Sequence, residues 1–300
     1  MKKSFIVLMA VLVVILTGCS VSINGREVGS LDLGIGGDLV EKTEEINEPA
    51  DSMTRLTIEN SSGELNIVPC DGSNLKVKAV KKVRMSASRS KAEKMLDSID
   101  IDVKKSGDEI RVVVRYPDNS HGLMQRTVDM DVEVPKNILD ISTRLSSGNL
   151  KMRDVEANSY SVNMSSGNVE FKDVKGNLNM VSSSGILNID GFEGAVEAKG
   201  SSGNISLKRA YLKSPSSFEL SSGNFDMEID RFDGGGSYKW NASSGNMRLH
   251  LPQDAGFNLD ARTSSGNLGS DFDIVVRGAS KQAHNELIGT EGGGGADVKI

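Results

Sequence analysis

The residue types that most often perform catalysis are few and scattered in this sequence. The histidines are His121, His250 and His284, and the closest groups of carboxylates are Asp226, Asp230 and Asp233, and Asp271 and Asp273. No histidine has a cysteine or carboxylate at metal-ligand spacing, and no nucleophile-elbow, zinc-protease, phosphate-loop or calcium-repeat motif occurs. The carboxylate spacing is typical of solvated strands and loops. The sequence therefore predicts no catalytic residue, no metal site and no cofactor.

Composition excludes several further classes of protein. Of 300 residues, 37% are hydrophobic and 25% charged, which is enough apolar material for a packed core. Aromatic residues make up 4%, which argues against a carbohydrate groove paved with rings. The net charge of -6 argues against nucleic-acid binding through bulk positive charge. Two cysteines exclude a disulfide-stapled scaffold.

The N-terminus has the pattern of an export signal. Lys2 and Lys3 precede an unbroken apolar run over residues 5–16, which is too short to span a bilayer but suits a signal peptide. The run ends in Leu-Thr-Gly-Cys at 16–19, which is similar to a bacterial lipobox. An ordinary secretory signal that ends near a cysteine is the alternative.

The lipobox resemblance implies that residues 1–18 are removed and that Cys19 carries lipid. Two acyl chains, one of them palmitate, would anchor the protein stably, since one chain alone binds a membrane only marginally. Residues 20–53 contain spaced glycines and an acidic stretch with Pro49. We therefore expect 19–53 to be the lipidated cysteine and a flexible tether that faces outside the cytoplasm, on the cell membrane or on an outer membrane.

A repeated Ser-Ser-Gly tripeptide dominates the rest of the chain. Its glycines are Gly63, Gly148, Gly167, Gly185, Gly203, Gly223, Gly245 and Gly266. From Gly148 onward the copies follow one another at intervals of 18 to 22 residues, which is the signature of a repeat architecture.

Apolar residues around each copy recur with a spacing of two. Leu150 and Met152 follow Gly148, and Val169 and Phe171 follow Gly167, at the same offsets. This is the period of a strand with one buried face. We therefore expect a mainly β protein: a β-solenoid over 136–300 with two strands per coil, stacked about 4.8 Å apart. An antiparallel barrel or sandwich with similar hairpins is the alternative.

The residues of the tripeptide suit a tight, stacked bend. Glycine adopts positive φ without strain, and serine is small and satisfies nearby backbone groups. Asparagine follows the glycine in six of the eight copies and could form a ladder of stacked amides. The eight glycines are therefore predicted to be structural corners.

Residues 54–135 do not follow the repeat. They contain further strand patterns and a predicted helix at 86–98, and we expect them to be a β-rich cap over one end of the solenoid. The stretch 76–94 is strongly basic. A solvated strand-and-helix face explains it, and contact with anionic lipid or wall polymer is the alternative.

The turn opposite the Ser-Ser-Gly corner varies in length, from three residues at 175–177 to seven at 231–237. Insertions in solenoids often gather on the binding face. Tyr211, Phe232 and Phe257 therefore form a hypothetical binding edge. The alternative is that these side chains only cover the side of the core. Ala296, Val298 and Ile300 alternate like a strand that precedes another corner.

The order of these features resembles the bacterial "putative adhesin" family of unknown function. An early Ser-Gly coil, a short helix, a strand that ends in Val134-Pro135 and serial Ser-Ser-Gly-Asn corners carry the resemblance. The family implies a β-solenoid outside the cytoplasmic membrane and supplies no catalytic residues.

The expected function is that of a lipid-anchored binding or structural module whose partner, besides the membrane, is an envelope polymer, a surface or a protein. A regulatory envelope-stress lipoprotein that contacts a membrane sensor or an antimicrobial peptide is one alternative. A polysaccharide-degrading β-helical enzyme, which would need paired carboxylates or calcium with a base, is another.

Overall fold

The computed structural model describes residues 22–23, 26–27, 39–85, 89–117, 124–276 and 285–300. The predicted signal peptide and Cys19 lie outside the described residues. The elements are β1 Ser22–Ile23, β2 Arg26–Glu27, β3 Leu39–Pro49, β4 Arg55–Cys70, β5 Asn74–Met85, α1 Arg89–Asp97, β6 Asp100–Ser106, β7 Glu109–Arg115, β8 Met124–Pro135, β9 Asp140–Arg153, β10 Glu156–Gly194, β11 Val196–Leu212, β12 Ser216–Phe232, β13 Ser237–Ser244, β14 Met247–His250, β15 Phe257–Arg262, β16 Val275–Val276, β17 Glu286–Glu291 and β18 Ala296–Lys299.

The repeats form parallel coils that stack in register. Gly63 pairs with Gly148, Gly148 with Gly167, and Gly203 with both Gly185 and Gly223. The chain stays in extended, hydrogen-bonded conformation through most corners, so one long strand such as β12 contains both halves of a coil. We call the half before each Ser-Ser-Gly the first arm and the half after it the second arm. The prediction of a β-solenoid is confirmed, and the antiparallel alternative is wrong for these coils.

The alternating apolar residues point into the solenoid and form columns along it. Met180, Ala198, Phe218 and Trp240 occupy one column of the first arms, where the Phe218 and Trp240 rings stack with centroids 6.2 Å apart. Leu187, Ile205, Phe225 and Met247 occupy a column of the second arms. Most of these side chains are buried. Burial of one face of every arm is the main stabilising force of such a fold.

The N-terminal region closes one end of this stack. The first arm of β4 pairs with β7, and its second arm pairs with β8. The antiparallel strands β6, β5 and β3 then extend from these two. Helix α1 lies within the range predicted from the sequence and contacts β5 and β3, burying Ala92 and Leu96.

Strand β3 corrects one expectation. Residues 39–49 were expected to belong to a flexible tether, but all eleven pair with β5 from Leu39↔Arg84 to Pro49↔Asn74. The acidic residues of β3 face a strongly basic partner strand, and charge pairing stabilises a strand that composition alone assigns to a linker. Glu44, for example, pairs with Lys81 at 2.6 Å.

The C-terminal end departs from sequential stacking. Strand β18 lies between β13 and β15 and is parallel to both, with Val298 opposite Tyr238 and Leu259. Ala296, Val298 and the residues between them therefore form a strand, as their alternation predicts, but it stacks on the first arm of an earlier coil. Strand β17 pairs antiparallel with β15, and β16 continues beyond it.

Candidate binding site

The Ser-Ser-Gly corners form a stack of glycines whose role is structural. From Gly63 to Gly245 these glycines have φ between 130° and 146°. A Cβ on Gly167 would overlap the carbonyl oxygen of Gly148, and the same contact recurs at the next corners. The close approach of successive backbones leaves no room for any side chain.

The eighth corner does not join this stack. A Cβ on Gly266 would have no neighbour closer than Thr263 Oγ1 at 3.9 Å, so the prediction that Gly266 is a stacked corner is wrong. The reason lies in the residues that follow it. Leu268 occupies the first inward position, but Ser270 stands where the other copies have a second apolar residue. A second arm without its apolar pair gains too little from burial to hold the coil together.

The asparagines after the corners form only part of the expected ladder. Asn246 donates to Asn224 at 3.2 Å, and Asn224 donates to Asn204 at 3.0 Å. Ile186 occupies the next position along the stack and interrupts the amides. These amides are exposed and leave side-chain groups available to solvent.

The hypothetical binding edge is mostly engaged in internal contacts. Tyr211 donates its hydroxyl to Asp233 at 2.7 Å, and the guanidinium of Arg231 lies 3.7 Å from the centre of its ring. Phe232 packs edge-on against Tyr238 at 5.3 Å. Phe257 is 2% exposed, so its assignment to an accessible edge is wrong. The alternative, in which these residues cover the core, fits the contacts better.

A cavity opens where the solenoid loses one arm. Beyond β13 the first arms continue through β18 and β15, whereas the second arms end at β14 within the described residues. The space that another second arm would fill is a cavity of about 760 Å³. Its volume lies in the range of ligand-binding pockets in proteins.

The cavity is lined by the solenoid's own core residues. Met247 and Leu249 of β14 continue the two inward columns of the second arms. Leu259, Val298 and Ile300 line it from the first-arm side, and Phe272 lines it from the segment after Gly266. Met247, Leu249, Phe272 and Ile300 are half-buried. Side chains that elsewhere are covered by the next coil are therefore accessible here.

The rim of the cavity carries both signs of charge. Arg248 and His250 point outward from β14 and are exposed. Asp271, Asp273 and Glu291 lie on other parts of the lining. Arg248 forms no ion pair within the described part of the chain. An apolar interior with a charged rim suits an amphipathic ligand, one part of which is desolvated while another stays in water.

The match to a family of known sequences now agrees with this architecture. The model of the family described as Toastrack DUF4097 matches residues 53–300. The chain belongs to the Toastrack family. The match starts just before β4, so it includes the N-terminal cap strands from β4 onward, the solenoid and the open end.

Solved structures with similar backbones share little sequence with this Toastrack chain. A "putative cell adhesion protein" of Clostridium sporogenes is 13% identical, with a TM-score of 0.35, over 88% of this chain and 93% of that one. A "putative adhesin" of Bacteroides fragilis is 11% identical (TM-score 0.34; 69% and 97% covered). A "putative lipid binding protein" of Parabacteroides distasonis is 16% identical (TM-score 0.34; 71% and 95% covered). No curated protein matches the chain.

The Toastrack fold brings three of the sequence-based candidates for chemistry to the lining of one cavity and leaves Asp233 elsewhere. Asp233 accepts hydrogen bonds from Tyr211 and from the backbone of Ser214, and the Tyr211 hydroxyl holds the pKa of its carboxyl below the ordinary value. His250, Asp271 and Asp273 lie on the cavity lining. His121 and His284 lie outside the described residues. Across the described ranges, no group of three histidine, cysteine or carboxylate side chains could hold a metal.

Six of the eight bases in the basic stretch 76–94 are exposed, as expected for a solvated face, and four form ion pairs. Lys76 binds Glu133 at 2.8 Å and Lys82 binds Asp129 at 2.8 Å, across to β8. Lys81 is buried and donates to the carbonyl of Ile99 at 2.8 Å in addition to its pair with Glu44. The expectation of one solvated face is therefore wrong for Lys81, while Lys78, Arg84, Lys91 and Lys94 are exposed.

Two further observations concern membrane-spanning helices and the remaining cysteine. No helix in the part of the chain that the structure describes is long and apolar enough to cross a bilayer. Cys70 is a free, half-buried thiol that contacts the carbonyl of Asn74 at 3.6 Å.

Sequence reasoning missed the cavity, although a signal for it exists. Each Ser-Ser-Gly from Gly148 to Gly245 is followed by two apolar residues at offsets of two and four, and only the copy at Gly266 lacks the second. When a repeat lacks an apolar residue that one arm needs for burial, we expect the same arm of the preceding coil to remain uncovered.

Proposed function

We propose that this protein is a non-catalytic binding module of the bacterial cell envelope. Lipid on Cys19 holds it to a membrane outside the cytoplasm, and the cavity at the open end of the solenoid binds its partner. The single observation that carries the binding role is the uncovered core at β14, where Met247 and Leu249 are half-buried although the same inward columns are buried in the covered coils.

The electrostatics of the described residues argue against a glycosidase. Wherever a carboxyl pKa departs from its ordinary value in these ranges, a basic or hydroxyl side chain lowers it. Asp190 beside Arg209 and Glu219 beside Lys239 are examples. A glycosidase needs the opposite, a carboxylic acid whose pKa is raised so that it can donate a proton.

Photo-crosslinking in cells tests the binding role. A photoreactive amino acid replaces exposed Ser270 at the cavity or, as the control, exposed Ser201 on the regular part of the solenoid. We expect crosslinks to discrete partners from position 270 only. Leu249→Glu places a charge in the cavity and should remove them, whereas Leu139→Glu, at an exposed leucine elsewhere, should not. Equal crosslinking from both positions would contradict the proposal.

Labelling with a palmitate analogue tests the anchor. Cys19→Ser should lose the label and leave the membrane fraction, while Cys70→Ser should keep both. Label that persists in Cys19→Ser rules out the lipid attachment proposed here. Release of fragments from envelope glycans by the purified protein would in turn rule out a non-catalytic role.

A further inference from the structure

We infer that the open end of the solenoid binds an extended peptide of a partner protein, which adds as a strand beside β14 and supplies the missing second arm. This inference rests on the proposed function and names the chemical class of the partner. The partner segment carries two apolar residues separated by one acidic residue.

The backbone of β14 provides the first argument. Second arms inside the solenoid, such as that of β11, pair with a neighbour on both sides. Strand β14 pairs with β12 alone among the described residues, from Phe225↔Met247 to Glu228↔His250. Within the described ranges its other edge has no strand partner, so its N–H and C=O groups are available to bind an added strand. A lipid tail would leave these polar groups unsatisfied.

The side chains of β14 set the spacing of the partner's apolar residues. Met247 and Leu249 are two residues apart and face the cavity. In each covered coil, apolar side chains of the next second arm lie on residues at these two positions, as Leu207 lies opposite Ile189. An added strand in the same register would place its own apolar residues over Met247 and Leu249.

The charge of Arg248 indicates which residue the partner carries between its two apolar residues. Several outer-face residues of adjacent coils form ion pairs: Lys151 with Glu64 at 2.5 Å, Arg209 with Asp190 at 2.7 Å and Lys239 with Glu219 at 2.7 Å. Arg248 lies on the outer face between Met247 and Leu249, and no described residue forms an ion pair with it. The matching position of an added strand therefore favours a carboxylate.

A peptide with this pattern is available in the chain itself. Residues 221–230 include Phe225, Asp226 and Met227, which lie directly beneath Met247, Arg248 and Leu249 in the stack. The probe is this ten-residue peptide, acetylated, amidated and labelled with a fluorophore. Within the folded protein the segment is already paired on both sides, so the synthetic copy tests only the open edge.

Fluorescence anisotropy and hydrogen exchange of the full chain with this peptide provide the test. We expect saturable binding in the micromolar range, with slower amide exchange at 247–250. Arg248→Glu should weaken binding at least tenfold, and the peptide carrying Asp226→Lys should restore binding to that variant. Lys172→Glu, which changes an exposed base on the covered second arm of β10 that forms no ion pair with any described residue, is the matched control and should bind as the parent does.

Several outcomes would overturn the inference. Absence of binding at about 1 mM peptide would do so, and so would binding that is indifferent to Arg248→Glu. Self-association of the chain that Arg248→Glu abolishes would assign the edge to a second copy. Uptake of a fluorescent fatty acid that the peptide fails to displace would assign the cavity to lipid. If the crosslinks from position 270 persist in any of these cases, the binding function stands and only the strand mechanism falls.

Discussion

The two ends of the solenoid differ in how completely their outermost coil is covered by other strands. At the N-terminal end both arms of β4 are covered, the first by β7 and the second by β8. At the C-terminal end the first arm of the last regular coil is covered by β18, while its second arm, β14, is uncovered in the described chain. One end therefore covers both arms of its outermost coil, and the other leaves one arm uncovered in the described chain.

We relate the covered end to stability and the partly covered end to the proposed binding function. A solenoid needs caps, because an open edge of stacked strands pairs with other chains. The acidic and basic side chains of β3 and β5 provide such a cap. An end that is covered in only one arm leaves a strand edge of defined register in the described chain, and to this edge we assign binding. The following predictions test whether the ends differ as described.

The largest contrast is expected between two corner glycines. Gly63→Ala should lower the free energy of unfolding by about 4 kcal/mol or more, because its Cβ would overlap the carbonyl of Val128 at positive φ. Gly266→Ala has open space around it and should cost only the strain of its φ of 118°, about 1–3 kcal/mol. Chemical denaturation of both variants measures the difference. Equal losses would mean that Gly266 is stacked after all.

The apolar columns give the second contrast. Ile67 is fully buried near the N-terminal end, and Leu249 occupies the same inward offset at the open end. Ile67→Ala should cost about 2–5 kcal/mol. Leu249→Ala should cost about 1 kcal/mol, since its side chain is already partly in water. Thermal unfolding compares the two, and a large loss at Leu249 would indicate that the cavity is closed in solution.

The third contrast is between a buried lysine and an exposed lysine of the N-terminal cap. Lys81 is 6% exposed and holds both Glu44 and the carbonyl of Ile99. Lys81→Ala should cost about 1–3 kcal/mol, because that carbonyl loses its donor. The neighbouring exposed pair of Lys76 and Glu133 is the control, and Lys76→Ala should cost at most about 1 kcal/mol. If both variants unfold at the same denaturant concentration, the cap does not depend on the buried charge.

Lowering the pH should produce the smallest effect on stability, and it should act first at the N-terminal end. Hydrogen bonds from Arg55 and Thr54 lower the pKa of Asp108 to about 2, and pairing with Arg111 and Arg144 lowers that of Glu59. A lowered carboxyl pKa contributes stability above the unfolded value near 4, and that contribution is lost as the pH falls toward the folded value.

We therefore expect hydrogen exchange, corrected for its intrinsic pH dependence, to rise first around β4, β7 and β9 between about pH 4 and 2. The C-terminal strands should follow later. Unchanged protection of the N-terminal coil down to pH 2 would contradict the importance of these pairs.

Much of the regular part of the molecule could be predicted from the sequence. Ser-Ser-Gly spacing and alternating residues such as Val169 and Phe171 gave parallel coils, because a stacked bend requires glycine and a buried face requires a period of two. The helix after β5 was also predicted within a few residues. These features depend on neighbours in the chain or on identical neighbours in the stack.

The edges of the molecule could not be predicted in the same way. The composition of β3 is typical of a linker, and only its pairing with the basic strand β5 identifies it as a strand. Phe257 belongs to a turn that was predicted to be exposed, but in the fold Phe272 packs against it with ring centroids 5.3 Å apart. The cavity depends on the insertion of β18 between β13 and β15, which joins residues of β13 and β18 that are sixty positions apart. Local patterns contain no information about such pairings.

The sequence by itself determined the repeating unit: which residues bend, which face inward and how far apart the coils recur. Only the tertiary structure decided how the stack ends, because strands from outside the repeat compete for the last open edges by burial and charge. That competition left β14 without a neighbour in the described chain, and with it the surface to which we assign binding.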